Sequence, residues 1–501
     1  MFYDNPLPSK NLAYKTITLP PFDVGQNSDY NQNLLSFKKA NCIYNFNITD
    51  GALSDGYGFK SLTLPTSTQE PDGLRAIDFT DMPNILGVWQ YSYYSDTYQT
   101  KQYAVVMYGE DKQLYWCKMF SPDNHIYALY DNTFEQLPIV LNYRLDNRDI
   151  LIFTSPIDGM LVWDGDTLPY KITTAPTIKS MCLHKDILFA ITQDGTHSIR
   201  YSKQLNPTSW LISGNLEDSG FIDISDQQGG MNKILSFLGY LFVFRDYAIT
   251  KIAFYDEDGE YNISQLYFSG SKIFADTVCV CGDKILLMSN DGIYSFDGLQ
   301  TTKLDLGINT MFAPDNHNAS AVFFNDKYYL ACKLNFKDDD LVCDEQNDNY
   351  VNNALIVYDT QTKQFTITRG VDIKSMLPVE EEHISKIIFC KNSTHSNTLG
   401  EITNDGCYYN QILPKKWQSN LTDLSLPTKQ KIIKNIYITT KSDCVVTVKT
   451  QTITKSYNLI GSEYCQTIRC NLKGKLISLS ITSKSPNAYI QPPTIYLGVE
   501  D

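Results

Sequence analysis

Residues 282–306 read GDKILLMSNDGIYSFDGLQTTKLDL. An apolar run, Ile285 to Met288, meets a turn at Asn290-Asp291-Gly292, a second run covers Ile293 to Phe296, and a further turn at Asp297-Gly298 leads to Thr302–Leu306. Asn-Gly and Asp-Gly pairs between apolar runs mark hairpins, because glycine accepts the positive φ that tight turns demand. The stretch predicts one complete unit of a repeating meander of short strands.

Taking Asp291 as an anchor, similar positions recur at Asp111, Asp158, Asp194, Asp246, Asn352 and Asp405, each after an apolar strand. Three residues beyond the anchors stand Leu114, Leu161, His197, Ile249, Tyr294, Leu355 and Tyr408, apolar or aromatic in all but one case. A period of about 40–50 residues with four short strands per unit is the mark of a β-propeller. Seven anchors predict seven blades, with six as the alternative. A lone blade cannot bury both faces, so stacking around an axis is required, and the segment from Ile43 to Leu64 is placed to complete the last blade.

On either side of the repeats the pattern changes. Residues 1–36 are rich in Pro and Asn without a sustained period, and predict an extended arm lying on something else. From 428 to 501 longer alternating runs such as Leu476-Ile477-Ser478-Leu479-Ser480-Ile481 predict a small β-sandwich. The expected organisation is all-β, with an arm at 1–36, a propeller with its closing strand at 37–427 and a sandwich at 428–501. The insertions 334–351, with Asp338, Asp339, Asp340, Asp344, Glu345 and Asp348, and 392–401 are expected to be solvated surface loops.

The chain of 501 residues carries a net charge of −14, which argues against a general nucleic-acid or anionic-membrane binder. The charge is uneven. Residues 429–501 hold ten Lys and Arg against four Asp and Glu, so this segment is +6 and leaves −20 for the remainder. Lys431, Lys434, Lys473 and Lys475 are the expected docking residues of this basic module for an acidic partner. No signal peptide or membrane span is expected.

Twelve Cys are scattered, and buried free thiols in a reducing compartment are expected. Cys279 and Cys281 share one face of a strand, which is not a CxxC spacing. His125, His184, His197, His317, His383 and His395 show no metal-ligand spacing. No GxSxG, HExxH, GxxxxGK[ST] or GxGxxG occurs, so no catalytic, cofactor or metal residue is expected. Trp116 and Trp163 stand five after their anchors, in phase with Phe296, and predict core packing rather than a sugar platform.

The phrase Asn45-Phe46 to Asp50-Gly51-Ala52-Leu53, leading to Gly58-Phe59-Lys60-Ser61-Leu62, together with the closing Ile481-Thr482-Ser483-Lys484-Ser485-Pro486, resembles propeller-type virion proteins of tailed bacteriophages. The likeness is to the tail-hub or packaged-DNA stabilisation proteins of short-tailed phages. It implies a non-enzymatic structural protein, made in the host cytoplasm and carried in the virion. Its copies would form a homo-oligomeric ring at the head-to-tail junction or tail, beside portal, adaptor or other tail proteins. There it would retain DNA and guide its exit without sequence-specific nucleic-acid contact. The alternatives are a receptor- or glycan-binding propeller at the tail tip, and a polysaccharide-degrading enzyme with paired carboxylates.

Overall fold

The computed structural model describes residues 12–22, 26, 27, 29, 40–62, 76–77, 82–96, 99–118, 125–130, 132–193, 198–212, 219–224, 228–255, 260–267, 271–337, 347–381, 384–392 and 399–500. Among them there is no α-helix, only short 3-10 turns at Ala275–Thr277 and Asn309–Met311. The fold is all-β and propeller-like. Seven small sheets follow one another along the chain: 85–128 with 76–77, then 139–172, 178–223, 231–267, 279–303, 320–369 and 375–412. Within each, strands pair almost wholly antiparallel with their neighbours in sequence.

The opening stretch supplies the second to fourth strands of the fifth sheet: Lys284–Ser289, Gly292–Phe296 and Thr301–Lys303. The first strand, Cys279–Cys281, precedes it, so the unit begins earlier than the sequence predicts. Three residues give too few alternations to show a period.

Asp111, Asp158, Asp246, Asp291 and Asn352 all fall in the turn between the second and third strands of their sheets. The side chains of Asp158, Asp246 and Asn352 fasten that turn to the segment leading into the first strand, whereas Asp111 bonds Gln113 and Tyr115 just beyond it. Asp158 accepts from the backbone N–H of Glu135 (3.0 Å) and Gln136 (3.3 Å), and Asp246 from that of Gly230 (2.9 Å). Asn352 donates to the carbonyls of Asn318 (2.9 Å) and Ile373 (2.8 Å). At these three turns a short acid or amide does what a bare backbone cannot. The residues three further on, Leu114, Leu161, Ile249, Tyr294 and Leu355, are buried. Asp194 and His197 lie outside the described residues. Asp405 departs from the scheme, following the third strand of the seventh sheet, Leu399–Thr403, instead of the second.

Neighbouring sheets share apolar clusters. Tyr91 and Tyr93 of the first sheet meet Trp163 of the second, with ring centroids 5.3 and 6.3 Å apart. Phe242 and Phe244 of the fourth meet Phe296 of the fifth at 5.2 and 6.2 Å. Trp116 lies 5.3 Å from Trp163, so both tryptophans pack where the anchor phase predicts. Strand Gly58–Leu62 joins the seventh sheet beside Leu399–Thr403, in register from Leu62 opposite Leu399 to Gly58 opposite Thr403.

The remaining strands build a two-sheet sandwich around one apolar core. The alternating runs expected after residue 428 do form strands, but the expected boundaries of 36 and 428 do not match the sheets. Leu12–Thr18 pairs along its full length with Thr494–Glu500. Ala40–Tyr44 pairs with Lys415–Ser419, and Phe46–Thr49 and Ala52–Asp55 join the other sheet. Of the segment expected to close the propeller, only Gly58–Leu62 joins one of the small sheets. Edge position explains why the arm hid its strand: five of the seven residues of Leu12–Thr18 are exposed, leaving no alternation to read.

The two bodies meet at Asn45, held at φ 58°. Its Nδ2 donates to the Pro414 carbonyl (2.7 Å), its Oδ1 accepts from Arg369 N–H (2.9 Å), and its own N–H reaches Ile367 O (2.8 Å). Beside it Arg369, wholly buried, donates to both oxygens of Asp348 (3.2 and 2.7 Å) and lies over Tyr44 and Phe336 at 5.1 and 4.3 Å. Asp348 thus sits on a buried guanidinium instead of in a solvated loop; residues 338–346 lie outside the described set. Asp29 adds a second contact, accepting from the N–H groups of Asn309 (2.9 Å) and Thr310 (2.8 Å), while Lys415 pairs with Asp55 at 2.9 Å between the two sheets of the sandwich.

Candidate interaction surfaces

Of the four expected docking lysines, Lys431 takes an inward position on Gln430–Thr440 and is fully buried. Its ammonium donates to the carbonyls of Leu426 (2.8 Å), Lys429 (3.2 Å) and Lys475 (2.6 Å). Burial lowers its pKa, Asp423 opposes that and Lys475 adds to it. Lys431 therefore holds the sandwich together and cannot meet a partner. Lys473 is exposed but grips both oxygens of Glu500 at 2.7 and 2.8 Å. Lys434 is half-buried and Lys475 exposed.

The structure does bring a basic surface together, around a hairpin the charge count alone did not single out. Cys444–Thr450 and Thr454–Leu459 pair so that Lys449 faces Thr454 and Lys455 faces Val448. Both lysines are exposed, and Ile453 at the hairpin tip is 42 % exposed. Lys475 adjoins this tip through its N–H, which donates to Gln451 Oε1 at 3.0 Å. An alternating strand whose outward positions hold Lys was the signal present in the sequence.

Neither a protein-family model nor a curated protein matches the chain. Its chemistry is read from its own groups.

In an antiparallel meander the first–second and third–fourth turns lie at the same end of the sheet. On this rim of the acidic body Asp96, Asp146, Asp186, Asp283 and Asp326 stand in first–second turns, and Asp164, Asp166, Asp297 and Asp359 in third–fourth turns. Contacts across sheets align the turns. Asp166 of the second sheet accepts from Ser95 Oγ (2.7 Å) and Asp96 N–H (3.0 Å) of the first, while Asp149 accepts from Tyr94 N–H (3.1 Å). Asp164 accepts from the N–H groups of Asp166 (3.1 Å) and Thr167 (2.7 Å). These carboxylates border a cavity of about 230 Å³. Each is engaged as an acceptor of local donors, the arrangement of a turn clamp. Asp297, fastened by the N–H groups of Gln300 and Leu299, is held below the usual carboxylate range by those bonds.

Other candidate groups are packed or exposed singly. Among the described residues no three His, Cys, Asp or Glu converge on a metal position. His184 is buried with Nδ1 2.8 Å from Ser236 Oγ, and burial first, then Lys185, lowers its pKa. His317 is exposed beside Asp315; His197, His383 and His395 lie outside the described residues. Cysteines described by the structure are free thiols. Burial pushes Cys182 and Cys279 up to about 12 and Cys390 to about 11, which makes them poor nucleophiles. No helix of the described residues is long and apolar enough to cross a membrane.

Proposed function

We propose that the chain is a structural assembly protein of a tailed-phage particle: a closed ring of seven blades with a basic sandwich fixed to its flank. Copies join at the head-to-tail junction or tail, retaining packaged DNA and guiding its exit. The virion context rests on the resemblance of the Asn45–Leu62 and Ile481–Pro486 phrases. One observation carries the mechanical part. The N-terminal segment contributes strands to both bodies and fastens an acidic body and a basic sandwich into one unit through Asn45, which bonds Arg369 and Ile367, and through Asp29, which bonds Asn309 and Thr310.

Closure of the ring is supported by the cluster in which Val379, Ile388 and Leu399 of the seventh sheet pack with Val88, Val105 and Met107 of the first. Seven blades are favoured over six because seven small sheets each share such a cluster with the next. An acidic wall does not hold the DNA backbone, so DNA slides past it. The local donors that engage Asp149, Asp164 and Asp166 support reading that cavity as a turn clamp instead of a carboxyl pair for glycoside cleavage.

Mass photometry of the purified chain, alone and with a portal-type ring protein, tests the reading. A multi-copy species, alone or on that platform, is the expected result. A chain that stays single and ignores the platform, or that turns over a polysaccharide, overturns it.

A further inference from the structure

Five first–second turns of the small sheets are fully described, and each needs a residue at positive φ. Their leading residues are Asp146 (φ 48°), Lys185 (49°), Leu238 (48°), Gly282 (65°) and Asn325 (47°). Gly, Asn and Asp suit that conformation, whereas Leu brings a branched side chain into a sterically crowded region. Leu238 is also 60 % exposed, so no burial offsets the strain. Leu205 repeats the combination in the third sheet, at φ 58° and 63 % exposed, with its N–H bonded to Asp186 O at 2.9 Å. In the fifth sheet Leu299 is 71 % exposed. A Cβ placed on Gly298 would lie 3.5 Å from Leu238 Cδ1, so Leu238 leans over the turn that carries Leu299. Three neighbouring sheets thus hold strained or bare leucines on one rim, among the exposed Asp186, Asp283 and Asp297. Strain kept where no fold contact requires it points to a use outside the monomer.

We propose that this rim receives the basic hairpin of a second copy, with Ile453 seated against Leu238 and Leu299 and with Lys449, Lys455 and Lys475 facing the surrounding aspartates. Charge selects the occupant. An acidic apolar rim repels its own kind, and the hairpin is an exposed basic surface with an exposed apolar residue at its tip. Because the two surfaces differ, the contact is head-to-tail and extends to a ring or a filament instead of stopping at a symmetric pair. The inference rests on the assembly reading above and gives it an interface.

Sedimentation velocity on the full chain across protein concentration and salt is the test. Wild type is expected to form species larger than one copy that weaken as salt rises. Leu238→Asn with Leu299→Ser, and separately Ile453→Ser with Lys455→Glu, are each expected to weaken self-association at least about tenfold. Leu238→Asn alone is expected to leave the melting temperature unchanged or raise it, since Asn tolerates positive φ, and this separates lost docking from lost folding. An equimolar mixture of the two double variants is expected to form dimers and nothing larger, because one complementary pair of faces survives. Wild type that stays single, variants that associate like wild type, or a mixture that stays monomeric overturns the contact. A chain that is single in solution yet assembles on a portal-type ring leaves the assembly reading standing and sinks only this interface.

Discussion

The seven small sheets and the sandwich solve the same burial problem with opposite connectivity. In the second to sixth sheets every strand pairs with its neighbour in sequence, so each sheet is a local product. The sandwich joins Leu12–Thr18 to Thr494–Glu500, and the seventh sheet borrows Gly58–Leu62 for the edge of Leu399–Thr403. Local pairing closes short loops, whereas pairing across most of the chain closes very long ones, at a higher entropic cost before any contact forms. The sandwich and the seventh sheet are therefore the parts on which completion of the whole fold depends.

Two phenylalanines sharpen that contrast. Phe59, in the borrowed strand, lies 5.6 Å from Phe389 and 5.8 Å from Tyr408, and Phe242, in a local sheet, is as deeply buried. Truncating either to Ala is expected to cost about 3–5 kcal/mol. If the chain melts as one unit, both variants shift a single calorimetric transition downward. A melt that splits in two for Phe59→Ala alone would instead show that the local sheets stand without the borrowed strand.

Within the sandwich, Lys431→Met keeps most of the stem and deletes the donor to three carbonyls. A loss of about 1–3 kcal/mol in denaturant unfolding is expected, the cost of buried acceptors left without a donor. A variant as stable as wild type would mean that water replaces the ammonium there.

Alkaline pH acts on both regions, and chiefly on the small sheets. Cys182, Cys279 and Cys390, and Tyr91, Tyr115, Tyr329 and Tyr408, all have pKa values raised first of all by burial. A raised folded pKa means that the unfolded chain ionises first. Stability is expected to be intact below the ordinary thiol value of 9.0 and to fall as pH climbs through it and through 10.0 for the phenols. The lowered pKa of Lys431 works in the opposite direction, as a single group. Thermal melts that hold constant through that window would contradict these shifts. The smallest effect belongs to Lys473→Ala, whose exposed ammonium pairs with Glu500; about 0–1 kcal/mol is expected in denaturant unfolding.

What the sequence disclosed follows the same division. Turn pairs such as Asp291-Gly292 and the buried residues three beyond the anchors are local signals, and they located the small sheets and the fastening side chains. The borrowed strand was legible because Phe59 and Leu62 follow a Gly-rich turn with no nearby partner strand. The sandwich share of the N-terminal segment was not, since an edge strand exposed on both faces has no period. Lys431 was misjudged because a charged residue at an inward strand position looks, in sequence, like one at an outward position; only the carbonyls around it decide. Asn45 acts through Arg369 and Pro414, hundreds of positions away, and no spacing announces it. On the rim, the leucine at 238 was visible only by comparison with Asp146, Lys185, Gly282 and Asn325, once the turns were superposable.

The pairing of Leu12–Thr18 with Thr494–Glu500 also bears on how the chain is made. During translation the first strand leaves the ribosome long before its partner exists, and it must wait through the synthesis of every small sheet. A ribosome that stops early releases a product with an unfilled sandwich core around Phe22, Ile43 and Phe46. A product cut short before Thr494 lacks the strand that covers Leu12–Thr18, so this pair forms only after every small sheet has been made.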